Sequence, residues 1–245
     1  MVLDGPTIRL SRGPKENHAR PAIDPLFRSA ALSCGPLAIG VVLTGMLDDG
    51  SAGLRAIKDC GGTAVVQDPA DAQAPSMPRS ALACVDVDHV VTLAALGPLL
   101  YDLARRPGVI DMPRPPTALR QEHAVSNGGN AMQTLKAIAS PSTFTCPDCG
   151  GVLFELNDKR PVRYHCHTGH AFSLRSLAYM QEEMSDEALW TSLRVLQEKE
   201  AVLRRLAQAQ EATMPDVARD ALREADTIAN LRKAILGLTK STPGI

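Results

Sequence analysis

The chain has 245 residues, with 44% apolar residues, 3% aromatics and a formal net charge of -1. That length fits one large or two small domains, and the apolar share supports an aliphatic core. The near-zero charge gives no global attraction to nucleic acid or acidic membranes, and no apolar run of about 18 residues suggests a membrane span.

In chain order, TIRL after the Asp4-Gly5 turn reads as a short strand. RPAIDPLFRSAAL has an apolar face at Ile23, Leu26, Phe27, Ala30 and Ala31, which predicts a helix begun near Pro25. AIGVVL, Ala38 to Leu43, reads as a buried strand, and SAGLRAIKDC as a helix stopped by Gly61-Gly62. TAVVQD is the next strand, SMPRSALAC a short helix with Pro78 near its first turn, DHVVTL a strand, and AALGPLLYDLARR a closing helix. Strands alternating with helices predict a parallel α/β sheet over residues 1–106.

Residues 107–141, with RPGVIDMPRPP and SNGGN, read as a linker, in which AMQTLKAIA suits a brief helix. Residues 142–172 hold a Cys/His cluster. Residues 173–245 read as a helical hairpin: Leu189, Leu193, Leu196, Leu203 and Leu206 form one stripe. Ile228, Leu231, Ile235 and Leu238 form another after Met214-Pro215. Two such stripes most simply pack on each other; a coiled coil with a partner is the alternative.

The six cysteines divide into two groups. Cys34, Cys60 and Cys84 sit among apolar neighbours and read as small buried side chains. Cys146, Cys149, Cys166 and His170 have the spacing C-x2-C-x16-C-x3-H, a donor set suited to tetrahedral Zn²⁺. VLFEL and VRYHC alternate like the strands of a small hairpin around NDKRP. A zinc-ribbon-like module follows, and four protein ligands make its zinc structural. His167 is the alternative fourth ligand; His170 is preferred because C-x3-H forms a second knuckle with Gly169 at its turn. Lys159, Arg160 and Arg163 lack an aromatic platform and are weak support for nucleic-acid binding.

GVVLTGMLDDGSAGL places two acids, Asp48 and Asp49, at the end of a buried strand. In open parallel sheets, functional groups gather beyond the strands' carboxyl ends. Three readings are open there. Asp49 or Ser51 caps the following helix, the pair holds Mg²⁺, or one acid orients a histidine in a catalytic triad.

GPKENHARPAIDPLFRSAA, GVVLTGMLDDGSAGLRAIKDCGGTAVVQDP and SMPRSAL together resemble the CheB-type protein-glutamate methylesterases over about residues 5–105. The resemblance implies hydrolysis of glutamate methyl esters on chemotaxis receptors by a Ser-His-Asp triad on a doubly wound α/β domain. Asp49 matches the family's triad acid, and Thr44 to Met46 match a loop lining the site. Asp48 and Ser51 are then turn and cap residues. The family's serine turn and histidine precede the block with which this chain begins, and Met1 matches the middle of a β-hairpin. His18, His89 and Ser51 are poor substitutes. The region is therefore expected to be a partial methylesterase domain, inactive alone, with its missing half supplied upstream or by a separate chain. A methylated chemoreceptor or other signalling protein is the expected partner, and the cytoplasm the expected location. No receiver-like domain is seen. The alternative is a non-catalytic, zinc-containing adaptor. Residues from about 143 to 210 also resemble extensions on some CheB-like proteins, a likeness that implies no activity.

Overall fold

The computed structural model describes residues 1–105, 113–126 and 131–239. They form two compact units, one ending at Met180 and one starting at Gln181.

The first unit opens with an antiparallel pair, β1 (Val2–Asp4) and β2 (Thr7–Arg9). Helix α1 (Ile23–Cys34) follows, beginning two residues before Pro25, which sits in its first turn where a missing N–H costs nothing. After a 3₁₀ turn at Gly35–Leu37 come β3 (Ile39–Val42), α2 (Ser51–Asp59), β4 (Thr63–Gln67), α3 (Ser76–Cys84), β5 (His89–Val91) and α4 (Leu93–Ala104). The strands pair in parallel in the order β3-β4-β5, as the alternating pattern predicts. Only helical crossovers make such connections, and α2 and α3 serve as those crossovers.

Val42, Leu54, Ala64, Val66, Met77, Ala81 and Val85 form the sheet's main core. Cys60 is fully buried beside Ala31, Ala38, Ala56 and Ile57, with Cys34 packed against this second cluster. Cys84 packs half-buried on the first cluster. Gly53 lets α1 and α2 meet closely. A Cβ there would lie 2.6 Å from Phe27 Cβ and 3.0 Å from the Asp24 carbonyl oxygen.

The stretch read as linker differs from that expectation. The brief helix expected at AMQTLKAIA is present as α6 (Ala131–Ile138), but the described residues also contain the unexpected α5 (Thr117–Ser126) and the start of β6 (Ala139–Thr145). RPGVIDM (106–112) and the NGGN of SNGGN (127–130) lie outside the described residues. The physical reason for the difference is the inward face of α5. It carries buried Glu122 beside Val125, so a charge interrupts the apolar stripe that marks a packed helix.

β6 joins β7 (Val152–Leu156), β8 (Arg163–Cys166) and β9 (Ala171–Ser173) in a four-stranded antiparallel sheet. VLFEL and RYHC are neighbours in it, Leu153 opposite Cys166. One core joins Val125, Leu135, Ile138 and Ala139 to Phe154 and Leu156. Another joins Leu153, Tyr164, Phe172 and Leu177 to Cys146 and Cys166. Leu177 lies on the first turns of α7 (Leu174–Gln210), the helix that continues into the second unit.

In the second unit, α7 turns back through Met214 into α8 (Pro215–Thr239), with Pro215 at the first helical position. The seam keeps part of the predicted stripes, burying Leu193 and Ile228, and fills the rest with alanines. Ala207, Ala218, Ala221, Ala225, Leu193 and Ile228 are buried, while Leu206, Leu231 and Leu238 are exposed. Ala207, Ala218 and Ala221 cluster, with Leu203 packed against them. Lys199–Glu224 at 2.7 Å, Arg204–Asp226 at 3.0 Å and Arg232–Glu200 at 3.3 Å bridge the helices. No helix among the described residues is long and apolar enough to cross a membrane.

Candidate functional site: an acidic turn beside a Cys/His cluster

The apolar β3 ends at Val42, and the chain turns through Thr44 to Gly50. Gly50 takes a φ of 89°, which favours glycine, and its Cβ position would lie 2.8 Å from Ile23 Cγ2. This fixes where Asp48 and Asp49 stand. Asp49 does not cap α2, whose N-cap residue is Gly50 and has no side-chain cap. It caps α1 instead: Oδ2 accepts the Ile23 N–H at 2.8 Å and Oδ1 the Asp24 N–H at 3.2 Å. Asn17 Nδ2 donates to Asp49 Oδ1 at 3.3 Å and to Asp24 Oδ2 at 3.1 Å. Burial raises the Asp49 carboxyl above its usual range, against these three donors, which lower it.

Ser51 is not a cap through its side chain either. It is fully buried, and its hydroxyl has no hydrogen-bond partner among the described residues. Asp48 is a buried contact rather than a solvated turn residue. Its Oδ1 accepts the Ser173 hydroxyl at 2.7 Å. Burial raises Asp48 too, opposed by that hydrogen bond and by the Arg175 charge.

Asp24 is the most perturbed acid of the group. Burial and the neighbouring Asp49 charge push it up to about 8. It accepts the Gly53 N–H at 2.7 Å, tying the start of α1 to α2.

Among the described residues, the hydrogen-bond partners of Asp49 include no histidine. His18 is half-exposed in the loop before α1, and its Nδ1 lies 3.0 Å from Asp148 Oδ1. His89 begins β5.

The structure brings Cys146, Cys149, Cys166 and His170 together, with one ligand atom of each within 4.8 Å of the others. Cys149 Sγ lies 3.7 Å from Cys166 Sγ, and His170 Nδ1 lies 3.7 Å from Cys146 Sγ and 3.6 Å from Cys166 Sγ. A tetrahedral site with metal–sulfur bonds of about 2.3 Å has edges of roughly 3.5–3.8 Å, so the donor set fits a metal ion. Two matching backbone turns hold it. Gly150 N–H donates to the Cys146 carbonyl, and Gly169 N–H to the Cys166 carbonyl, with positive φ at both glycines. Burial pushes the Cys146 thiol up to about 12. Burial also acts to raise Cys149, but hydrogen bonds from Thr168 and the Gly151 amide bring it down to about 6. His167 is exposed and packs against Gly151 instead of joining the four.

His165, on the same strand, faces a buried ionic network. Arg28 pairs with Glu16 and, at 3.0 Å, with Glu122; Arg163 also pairs with Glu122, and His165 Nε2 lies 3.4 Å from it. Burial alone would raise Glu122, but the Arg163 and Arg28 charges pull it well below the usual carboxylate range. Sequence reasoning did not find Asn17, Asp24, Arg28, Glu122 or Ser173. The one available signal is the polar string ENHARPAID just ahead of an apolar helix.

A parallel sheet with an acid beyond the carboxyl end of its first parallel strand gives the N-terminal region the site placement of an open α/β sheet. Residues 1–100 match the family model described as CheB methylesterase. Over those residues the chain is similar to the CheB methylesterase family. Over 101 residues the chain is 41% identical to protein-glutamate methylesterase/protein-glutamine glutaminase 4 of Anaeromyxobacter dehalogenans, covering 41% of this chain and 28% of that protein. Over 97 residues it is 44% identical to a putative protein of the same description from Leptospira interrogans, covering 40% and 50% respectively. The crystal structure of the Thermotoga maritima CheB methylesterase catalytic domain is 31% identical and covers 38% of this chain and 49% of that one, with a TM-score of 0.37. The chain spans half or less of the length of these relatives.

Proposed function

We propose that residues 1–100 are the acid-bearing part of a protein-glutamate methylesterase of chemosensory signalling, with methylated glutamates of a receptor as substrate. The observation that carries the reading is the LTGMLDDG turn, which sets Asp49 at the carboxyl end of β3. Asp49 would accept the imidazole N–H of a histidine and stabilise the imidazolium formed when that histidine takes the proton of a serine hydroxyl whose oxygen attacks the ester carbonyl. A carboxylate offers about four lone-pair sites. Three are taken by Asn17, Ile23 and Asp24, which leaves one for that histidine.

Hydrolysis then needs a serine and a histidine from outside these 245 residues. Triad members act as a unit, so Asp49 alone gives almost nothing. The Cys146, Cys149, Cys166 and His170 donor set suits zinc in a closed structural role, since four protein ligands leave no position for water. Three free thiols in that set fit a reducing compartment such as the cytoplasm.

The test is ester hydrolysis on a methylated receptor peptide. The chain alone should give background. Adding the serine- and histidine-bearing half of a family relative should raise the rate, and Asp49→Ala should abolish the gain. Hydrolysis by the chain alone that is insensitive to Asp49→Ala would sink the proposal.

A further inference from the structure

We propose that the Cys/His centre is a latch on the acidic turn, and that metal loading at the centre is transmitted to Asp48 and Asp49 through Asn17 and Ser173. This rests on the metal reading above and goes beyond it.

The loop from Pro14 to Ala19 is held by both knuckles of the centre. From the first knuckle, Asp148 meets Lys15 Nζ at 3.4 Å and His18 Nδ1 at 3.0 Å. From the second, Gly169 sits against Pro14, where a Cβ would lie 2.7 Å from the proline ring. One residue past His170, Ala171 N–H donates to the Lys15 carbonyl at 3.2 Å, and Asn17 N–H donates to the Ala171 carbonyl at 2.8 Å. The loop thus makes an isolated parallel bridge, Glu16 to Ala171, beside β9.

Asn17 is the point of transfer. Its Oδ1 accepts the Ser173 N–H at 3.0 Å and the Ser176 hydroxyl at 2.8 Å. Its Nδ2 donates to Asp24 and Asp49. Both donor hydrogens and both acceptor sites of the amide are thus used, and no other neutral side chain of this size offers two of each. Ser173 completes the link by donating to Asp48.

A module of about 30 residues draws much of its order from its metal. Without metal, the two knuckles lose their common anchor. The strand Ala171–Ser173, three residues from His170 at most, then loses its fixed position. The contacts it makes on Asn17 and Asp48 are the ones that loosen first.

Hydrogen exchange on the full chain tests this, with zinc bound and after removal by phenanthroline under reducing conditions. The expected result is that Ile23 and Asp24 amides exchange at least about tenfold faster without zinc, while Thr63–Gln67 changes less than about twofold. In zinc-loaded protein, Asn17→Gly should give the same acceleration with zinc content unchanged. Glycine suits that position because Asn17 has a φ of 50°. Unchanged protection at Ile23 and Asp24 in either arm overturns the latch, as does equal acceleration at Thr63–Gln67. A chain that takes up no zinc overturns the metal reading itself, whereas zinc uptake without a change at Ile23 and Asp24 overturns only the latch.

Discussion

The Ile23 N–H donates to Asp49 Oδ2 at 2.8 Å, so the proposed triad acid is also the cap of a helix whose first residue precedes it by 26 positions. Both tasks ask for the same thing, a part-buried carboxylate aligned by N–H donors. Asp49→Ala removes the cap and leaves the Ile23 and Asp24 donors without it. The expected loss is about 2–3 kcal/mol, a cap plus buried unmade hydrogen bonds. Asp49→Asn keeps one acceptor oxygen and should lose about half as much. Pulse proteolysis across a urea series checks both variants; equal stability of Asp49→Ala and the parent would refute the capping role.

Asp24 gives a pH signature. Its folded-state carboxyl is raised to about 8 by burial and by Asp49, from an ordinary value of 3.8. The folded protein therefore binds this proton more tightly than the unfolded chain. The stabilisation is complete below about pH 4 and is lost as pH rises towards 8. Asp24→Asn has no proton to lose. The stability advantage of the parent over Asp24→Asn should shrink steadily from pH 4 to pH 8, and denaturation of both at matched pH values measures it. A constant difference over that window would show that Asp24 is ionised in the fold throughout.

Glu122 is the hub of the buried charges. It faces Arg28, Arg163 and His165 with almost no exposure. Glu122→Gln leaves two guanidinium groups with one fewer negative charge between them. Breaking a buried ion pair from one side costs about 3–5 kcal/mol. The same change should remove the part of the acid sensitivity that comes from Glu122. Its carboxyl is held low, so its contribution is present above the ordinary carboxylate value and lost as pH falls below it. A urea series at pH 7 and pH 3 reads both effects, and a loss under 1 kcal/mol at pH 7 would contradict the hub.

The parallel region was legible because its signals are local. Apolar runs, Gly50, Gly61 and Pro25 each mark an element within a few residues. Helix α5 was not, because its inward Glu122 is balanced by Arg28 and Arg163, which are 94 and 41 residues away. The role of Asp49 as a cap was half-legible. The residue type pointed to capping, but the helix that receives it is found only through the fold. The same holds for Ser173, whose partner Asp48 is 125 residues distant. The Cys/His spacing was readable because metal ligands must come as a fixed donor set, whatever lies between them.

The choice between His167 and His170 has a direct assay. His170 Nδ1 stands at 3.6–3.7 Å from two of the thiol sulfurs, while His167 rests on Gly151. Outer partners of a metal ligand already matter by 10–100-fold, so removal of a ligand should exceed about a hundredfold. His170→Ala should weaken zinc binding by at least that factor in competition with a chromophoric chelator. His167→Ala should stay within a few-fold of the parent, and the reverse order would reassign the ligand.

Gly53 sets two effects against each other. Glycine within a helix costs up to about 1 kcal/mol relative to alanine, so Gly53→Ala, in the first turn of α2, ought to help that helix. The new Cβ, however, would sit 2.6 Å from Phe27 Cβ and 3.0 Å from the Asp24 carbonyl oxygen. Neither atom is the tip of a flexible chain. Phe27 Cβ is fixed to the α1 backbone, and the carbonyl belongs to that backbone. Helix α1 must therefore move away from α2, which strains the Gly53 N–H to Asp24 hydrogen bond and the Asp49 cap together. Overpacking of this kind costs about 1–3 kcal/mol, so the net expectation is destabilisation. A urea series on Gly53→Ala decides the sign. If the variant is more stable than the parent, the close approach of α1 and α2 at this position does not exist in solution.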